Sequence, residues 1–362
     1  MATNFSSIPI LDFSLSSNPE TKPLFLAELR NALTNVGFYY LKNHPIPQAE
    51  IDAIIAYVPR FFDLPDAEKE RLRMVHSPHF FGYSRFGAEL TKGKVDQREQ
   101  YDFGTSLQSK WQPGDPEYLK LWGPSQWPEE HLLPGFRAAF ASYIDGLQKL
   151  SYRLLSLVAE ALELPPDAFA HFFEQDGNED RAKIVKYPAP ADDSSDQGVG
   201  PHFDGGFLTL LLQASPHRGL QVQNRSGQWI DAPPTPGTFV VNIGKALETV
   251  TQGVAIATSH RVLSPEKGST PRYSIPFFQM VSQGTVIGRQ VLDMPPGILK
   301  IKEARGQVIA DSINYSEYNE LPSGLVALIG RVKSHPDVAE RHYPELFNKF
   351  FPDGLPTHGL AY

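Results

Sequence analysis

The sequence predicts a mainly β fold with flanking helices, built on a jelly roll or barrel of the kind that cupin-type proteins also use. Three observations carry that expectation. From Lys183 onward the chain breaks into short apolar runs separated by turn residues. Between residues 136 and 161 one long stretch keeps its apolar residues three or four apart, the spacing of a helix with one buried face. Between His76 and Glu130 no periodicity holds, so long loops with short strands are expected there. Loops of that length in a compact protein usually serve function.

Taken in order, Ile8-Pro9-Ile10-Leu11-Asp12-Phe13 reads as a short edge strand, since proline is tolerated at edges and strand starts. Phe25, Leu26, Leu29 and Leu33 mark a helix from about Pro23 to Asn35. Gly37 ends it, and Phe38-Tyr39-Tyr40-Leu41 follows as a buried strand. Pro47 to Met74 is helical, with a break near Leu64-Pro65 where Asp63 is a candidate cap. Pro165-Pro166 stops the long helix. Strands are expected near Ala182–Tyr187, Gly206–Gln213, Leu220–Asn224, Phe239–Ile243, Ala255–Leu263 and Tyr273–Gln279, with Asn224 to Gln228 as a hairpin connection. The tail from about Ser312 to Arg341 is helical and packs outside the barrel. This divides the chain into an N-terminal helix-and-loop region over the site (1–130), a support helix (131–175), a core (176–285) and a helical tail (286–362).

Composition excludes several function classes. The chain of 362 residues is 41% hydrophobic and 20% charged, which suits a globular protein with a sizeable core. Its net charge of −8 and the lack of a Lys/Arg cluster argue against nucleic-acid binding. No apolar run approaches the roughly 18 residues a membrane span requires. There are no cysteines, which removes disulfides, zinc–thiolate sites, Fe–S clusters and thiol catalysis. With no secretory, retention or peroxisomal signal at either end, a cytoplasmic location is expected. Thirty-seven Phe and Tyr residues (23 and 14) suit both a core and a pocket for a flat or apolar ligand.

The residues that carry chemistry lie between 202 and 274. His202-Phe203-Asp204 places an imidazole and a carboxylate two residues apart, on one face if the segment is a strand. Ser259-His260-Arg261-Val262 ends another apolar run and brings a second imidazole. Two His and one carboxylate on one face of a metal form the triad of non-heme Fe(II) oxygenases, which leaves positions open for ligands. Arg272-Tyr273-Ser274 puts a guanidinium and a hydroxyl on one strand face. No acidic residue sits near Arg272 in sequence, and a buried guanidinium needs an anionic partner, which a ligand carboxylate would supply. Tyr187 is a further donor for that carboxylate. His76 and His79 border the expected pocket loop, and no phosphate-binding loop or nucleophile elbow is present.

These residues resemble the iron- and 2-oxoglutarate-dependent dioxygenase superfamily, in its isopenicillin N synthase-like branch. The resemblance extends over most of the chain. It includes residues 8–13 and 37–44, Gly82-Tyr83, the Asp96 to Phe103 stretch, Lys183 to Tyr187, His202-Phe203-Asp204, Asn242-Ile243-Gly244, Ser259 to Val262 and Arg272-Tyr273-Ser274. Two positions depart from the family's habit: Val185 stands where Asn is common, and Lys245 where Asp is common. The resemblance implies a double-stranded β-helix core and Fe(II) held by His202, Asp204 and His260. It implies 2-oxoglutarate as co-substrate, its distal carboxylate held by Arg272 and Ser274 with Tyr187 assisting. It also implies O2-dependent hydroxylation, desaturation or ring formation on a small organic molecule, releasing succinate and CO2, in specialised metabolism. Phe80, Phe81, Tyr83, Arg85, Tyr101 and Phe278 are the expected substrate-pocket residues. Two alternatives stand beside this one. An oxidase like isopenicillin N synthase would use the triad without 2-oxoglutarate. A jelly-roll binding protein would keep the triad without catalysis. The oligomeric state is left open.

Overall fold

A computed structural model describes residues 4–91, 94–105, 107–174, 178–190, 197–305 and 320–355. The strands in chain order are β1 (Ile10–Asp12), β2 (Phe38–Lys42), β3 (Gly82–Ser84), β4 (Leu90–Thr91), β5 (Lys94–Val95), β6 (Glu99–Gly104), β7 (Arg181–Tyr187), β8 (Gln197–His202), β9 (Leu208–Gln213), β10 (Leu220–Gln223), β11 (Trp229–Asp231), β12 (Thr238–Ile243), β13 (His260–Leu263) and β14 (Arg272–Phe278). The α-helices are α1 (Lys22–Asn35), α2 (Gln48–Phe62), α3 (Asp66–Arg71), α4 (Phe136–Ala161), α5 (Lys245–Val250), α6 (Pro296–Arg305), α7 (Ser323–Ser334), α8 (Pro336–His342) and α9 (Pro344–Phe350).

A large sheet runs in the order β1-β2-β12-β9-β14-β7-β6-β3 and faces a smaller sheet in the order β11-β10-β13-β8. This is the double-stranded β-helix, and its two cores follow from the two-residue period of the strands. In β2, Phe38 and Tyr40 join a core between the sheets, while Tyr39 and Leu41 join the core under the helices. In β7, Val185 and Tyr187 face the first core, and Ala182 and Ile184 the second. These strands are apolar on both faces because the large sheet is covered on both faces.

The helical layer is α1, α2 and α4. Phe136, Phe140, Ile144, Leu147, Leu154 and Leu157 make a stripe on α4 that is nearly or completely buried, as their spacing requires. At its 26 residues α4 is about 39 Å long, enough to span the sheet. Gly37 closes α1 with φ +74°, its N–H donating to the Ala32 carbonyl at 2.8 Å. A side chain there would sit 2.4 Å from the Ile256 carbonyl oxygen, so the turn into β2 requires glycine.

Several expectations are corrected. Asp63 follows α2 and does not cap α3, which Pro65 precedes without a side-chain cap. Residues 255–259 are not strand; β13 starts at His260. Strands β8 and β11 and helix α5 lie outside the expected elements. The expected tail helix lies partly outside the described residues; what is described of it forms α7 and nearly all of α8, and α9 follows. These pack with Met74, Phe80 and Leu121 in a third core, and α7 also walls the cavity described below. Among the described residues, no helix is long and apolar enough to cross a membrane.

Candidate active site

His202 and His260 converge because their strands do. They are direct cross-strand partners in the antiparallel pair β8–β13, and their rings lie 4.2 Å apart between centroids. Adjacent strands bring partner side chains to one face at such distances. Asp204 arrives differently from the strand-alternation expectation. Strand β8 ends at His202, and Asp204 lies in the turn to β9. That turn is pinned on the start of α5: the Lys245 N–H donates to the Asp204 carbonyl at 2.8 Å and the Ala246 N–H to the Gly205 carbonyl at 3.1 Å.

The three ligand atoms lie within 4.8 Å of one another. The Asp204 carboxylate is 3.9 Å from Nε2 of each imidazole. Neighbours fix every group. His202 Nδ1 lies 2.9 Å from the Gly200 carbonyl and His260 Nδ1 3.2 Å from the Thr258 carbonyl, so each ring donates there and leaves Nε2 as the free donor atom. Thr209 Oγ1 donates to Asp204 at 2.6 Å and Asn242 Nδ2 at 2.8 Å. Both donors orient the carboxylate.

Burial drives the His202 imidazole down to about 3, with His260 adding repulsion. Burial works to raise the Asp204 carboxyl, yet the two imidazoles and its hydrogen bonds carry it below its ordinary value. The site thus presents a neutral imidazole and a charged carboxylate at neutral pH, as a divalent cation requires. His202 is the open flank, 31% exposed against 10% and 9% for the Asp204 and His260 side chains.

Arg272 and Ser274 share a face of β14 and are 1% and 2% exposed. Arg272 Nη2 donates to Gln213 Oε1 at 3.3 Å, while Nε and Nη1 are buried without a partner. Its guanidinium lies 5.0 Å from the ring centre of Tyr187, its cross-strand neighbour in β7. Burial lowers the Arg272 pKa. A buried cation with two unmet donors is costly, by several kcal/mol, unless an anion completes it. All six residues line one cavity of about 590 Å³. The donor set fits iron, and the orphaned guanidinium fits a small dicarboxylate reaching from that iron.

Of the expected substrate residues, Phe278 lines this cavity. Five others do not. Phe80 is stacked on Tyr343 in the third core, with ring centres 5.5 Å apart. Phe81 is completely buried under the Arg181 guanidinium. Tyr83 donates to Glu99 at 2.6 Å, and Tyr101 is a core ring that donates to the Gln126 carbonyl. Arg85 is exposed and paired with Glu70. The cavity's outer end is instead walled by charge pairs from β6, β7, the residues just before them and the loop before β4: Glu89 with Arg98, Glu179 with Arg181, and Asp102 with Lys183 at 3.4 Å. His335, after α7, completes Glu89 at 2.9 Å. The sequence signals none of these pairs except by the density of charge in strands, as in Glu99-Gln100-Tyr101-Asp102 and Arg181-Ala182-Lys183.

Comparison with known proteins bears on this geometry. Residues 8–130 match the family described as non-haem dioxygenase in morphine synthesis N-terminal, and residues 179–280 match the 2OG-Fe(II) oxygenase superfamily. The chain is 46% identical to the 2-oxoglutarate-dependent dioxygenase frbJ of Dothideomycetidae sp., over 95% of this chain and 94% of that one. It is 33% identical to the homoarginine-6-hydroxylase 2-ODD-C23 of Glycine max, over 79% and 89%. It superposes on a full-length Neurospora crassa protein, solved in complex with alpha-KG and thymine, with TM-score 0.68 and 26% identity, over 89% and 96%.

Proposed function

The chain belongs to the 2OG-Fe(II) oxygenase superfamily, and from that premise we propose that it hydroxylates, desaturates or cyclises a small organic molecule with O2, giving succinate and CO2, in specialised metabolism. It is an Fe(II)/2-oxoglutarate-dependent dioxygenase, an oxidoreductase. In this reading His202, Asp204 and His260 hold the iron through Nε2, a carboxylate oxygen and Nε2. Arg272 and Ser274, with Tyr187, hold the distal carboxylate of 2-oxoglutarate. Iron, when bound with 2-oxoglutarate, supplies the activation of O2 coupled to oxidative decarboxylation.

The chain's own residues do the positioning. Asn242 and Thr209 fix the rotamer of Asp204, and the Gly200 and Thr258 carbonyls fix the two imidazoles. Val199, Val262 and Leu220 surround the dicarboxylate end with apolar surface, which excludes water and strengthens the Arg272 pairing. Phe278 meets the substrate. In this reading residues 1–130 cover the site, 131–175 supply the support helix, 176–285 the catalytic core and 286–362 a helical tail.

The observation that carries the reading is Arg272: a 1% exposed guanidinium with Nε and Nη1 unmet, in the same cavity as the three metal-ligand side chains. The test is succinate release with Fe(II), ascorbate and 2-oxoglutarate. Succinate formed in step with oxidised product supports the reading. Substrate-dependent O2 uptake without succinate would instead indicate an oxidase, and no uptake with any substrate a binding protein.

A further inference from the structure

Most charges lining the cavity are matched by an opposite charge. Arg98 pairs with Glu89, Arg181 with Glu179, Lys183 with Asp102, and Lys245 with Glu248. Lys333 turns its ammonium to the Phe350 ring, 5.0 Å away. Asp204 belongs to the iron and Arg272 to 2-oxoglutarate in the reading above. That leaves Arg331, on α7, which lines the cavity. Its guanidinium lies 6.0 Å from the Phe80 ring centre, and among the described residues it makes no close ion pair and no side-chain hydrogen bond. Glu179 is bonded to Arg181 and Gln283 and only feels Arg331 at a distance, so the Arg331 charge has no close partner.

A second unmet group borders the same cluster. Gln283 lines the cavity and is 7% exposed. Its Nε2 donates to Glu179 at 2.5 Å, which leaves its Oε1 buried without a donor. The Gly324 N–H donates to the Gln283 carbonyl at 2.9 Å, so the start of α7 is anchored on this residue. A spare cation and a spare acceptor on one wall call for a ligand with an anion and an N–H.

We propose that Arg331 and Gln283 form the substrate's recognition end: Arg331 takes a carboxylate, Gln283 Oε1 accepts from an N–H, and the substrate is an amino acid or N-acyl amino acid. This rests on the function proposed above and names its substrate class. A carboxylate held at α7 keeps the rest of the molecule in the cavity, directed along Phe278 toward the triad. Arg is suited to the task because its planar fork meets a carboxylate with two parallel bonds.

The test uses the full chain loaded anaerobically with Fe(II) and 2-oxoglutarate. The probes are the L-amino acids and their N-acetyl derivatives, each beside its primary amide. Two readouts are taken: the visible charge-transfer band of the iron–2-oxoglutarate complex, and succinate formed on admitting O2. The expected result is that at least one acid perturbs the band and stimulates succinate, while its amide does so at least about 10-fold more weakly. Arg331→Gln raises the concentration of that acid needed for half-maximal stimulation by about 10-fold or more and keeps the band. Arg331→Lys, which retains the charge, recovers part of the loss. The proposal is overturned if amides work as well as acids, if no acid in the panel acts, or if Arg331→Gln responds like the parent. Absence of the band altogether would overturn the functional reading itself, so the two failures are told apart.

Discussion

The inner end of the cavity leaves its charges unmet, and the outer end pairs them. At the inner end Arg272 has two orphaned donors, and the ligand atoms of His202, Asp204 and His260 face one another across 4.8 Å or less. At the outer end Glu89, Asp102 and Glu179 are each matched by a cation. The difference teaches what each end is for. A site that must bind the same metal and co-substrate in every turnover holds its charges in waiting, at a cost in stability that ligand binding returns. In the proposed reading, the wall that shapes the substrate pocket keeps its charges compensated and discriminates through the few groups left over.

The comparison can be broken first at the metal. His260→Ala or Asp204→Ala should lower 2-oxoglutarate turnover by on the order of 10³-fold or more and abolish stoichiometric iron binding, read by metal analysis. Arg272→Gln comes next. It should raise the KM for 2-oxoglutarate by about 100-fold and remove the thermal stabilisation that 2-oxoglutarate gives the iron-loaded protein. The ligand-free variant should melt no lower than the parent, since an unpaired buried charge has been removed; a large loss of ligand-free stability would mean that Arg272 is structural. Asn242→Ala should weaken iron binding by about 10–100-fold, because Asp204 loses the donor at 2.8 Å that orients it.

Changes at the outer end should act on substrate and spare the iron. At Gly324 an added Cβ would lie 2.6 Å from Tyr118 Cδ2 and 2.8 Å from Gln283 Cβ. Gly324→Val should therefore displace α7, cost about 1–3 kcal/mol of stability and uncouple succinate formation from substrate oxidation, while the iron–2-oxoglutarate band persists. The last effect is on stability alone and concerns pH. Asp180, completely buried behind this wall, accepts from the Met280 N–H, Gln148 and Asn178, and burial raises its pKa from 3.8 to about 7. A raised carboxyl means the folded state holds a proton that the unfolded chain releases above pH 3.8. Its contribution to stability is complete below that pH and is lost as pH rises through about 7, by at most about 4 kcal/mol. Melting curves from about pH 4 to about pH 8 should show this decline, and Asp180→Asn should flatten it.

The inner end is legible in the sequence because its chemistry is compact along the chain. His202 and Asp204 are two apart, as are Arg272 and Ser274, and β14 keeps the period that places the latter pair together. The apolar period of α4 and the Gly37 turn are legible for the same local reason. Strand β8 is not. Gln197-Gly198-Val199-Gly200-Pro201-His202 has a poor strand composition, and the pairing with β13 overrides it. Strand alternation puts Asp204 in the right cluster for the wrong reason, since a turn pinned on α5 delivers it. The outer wall is illegible because its members meet from distant segments: Glu89 with His335, Glu179 with Gln283. Aromatic density between residues 80 and 101 suggests a pocket, yet Phe80, Phe81 and Tyr101 are buried in cores. Sequence shows that a ring is apolar; which face of a loop it occupies is decided by packing.

Anaerobic titration of the Fe(II)-loaded protein with 2-oxoglutarate tests the central assignment most directly. The account predicts a visible charge-transfer band that saturates at one 2-oxoglutarate per iron, is absent in His260→Ala and requires about 100-fold more 2-oxoglutarate in Arg272→Gln. A band that forms unchanged in both variants would place the iron and its co-substrate elsewhere and contradict the assignment.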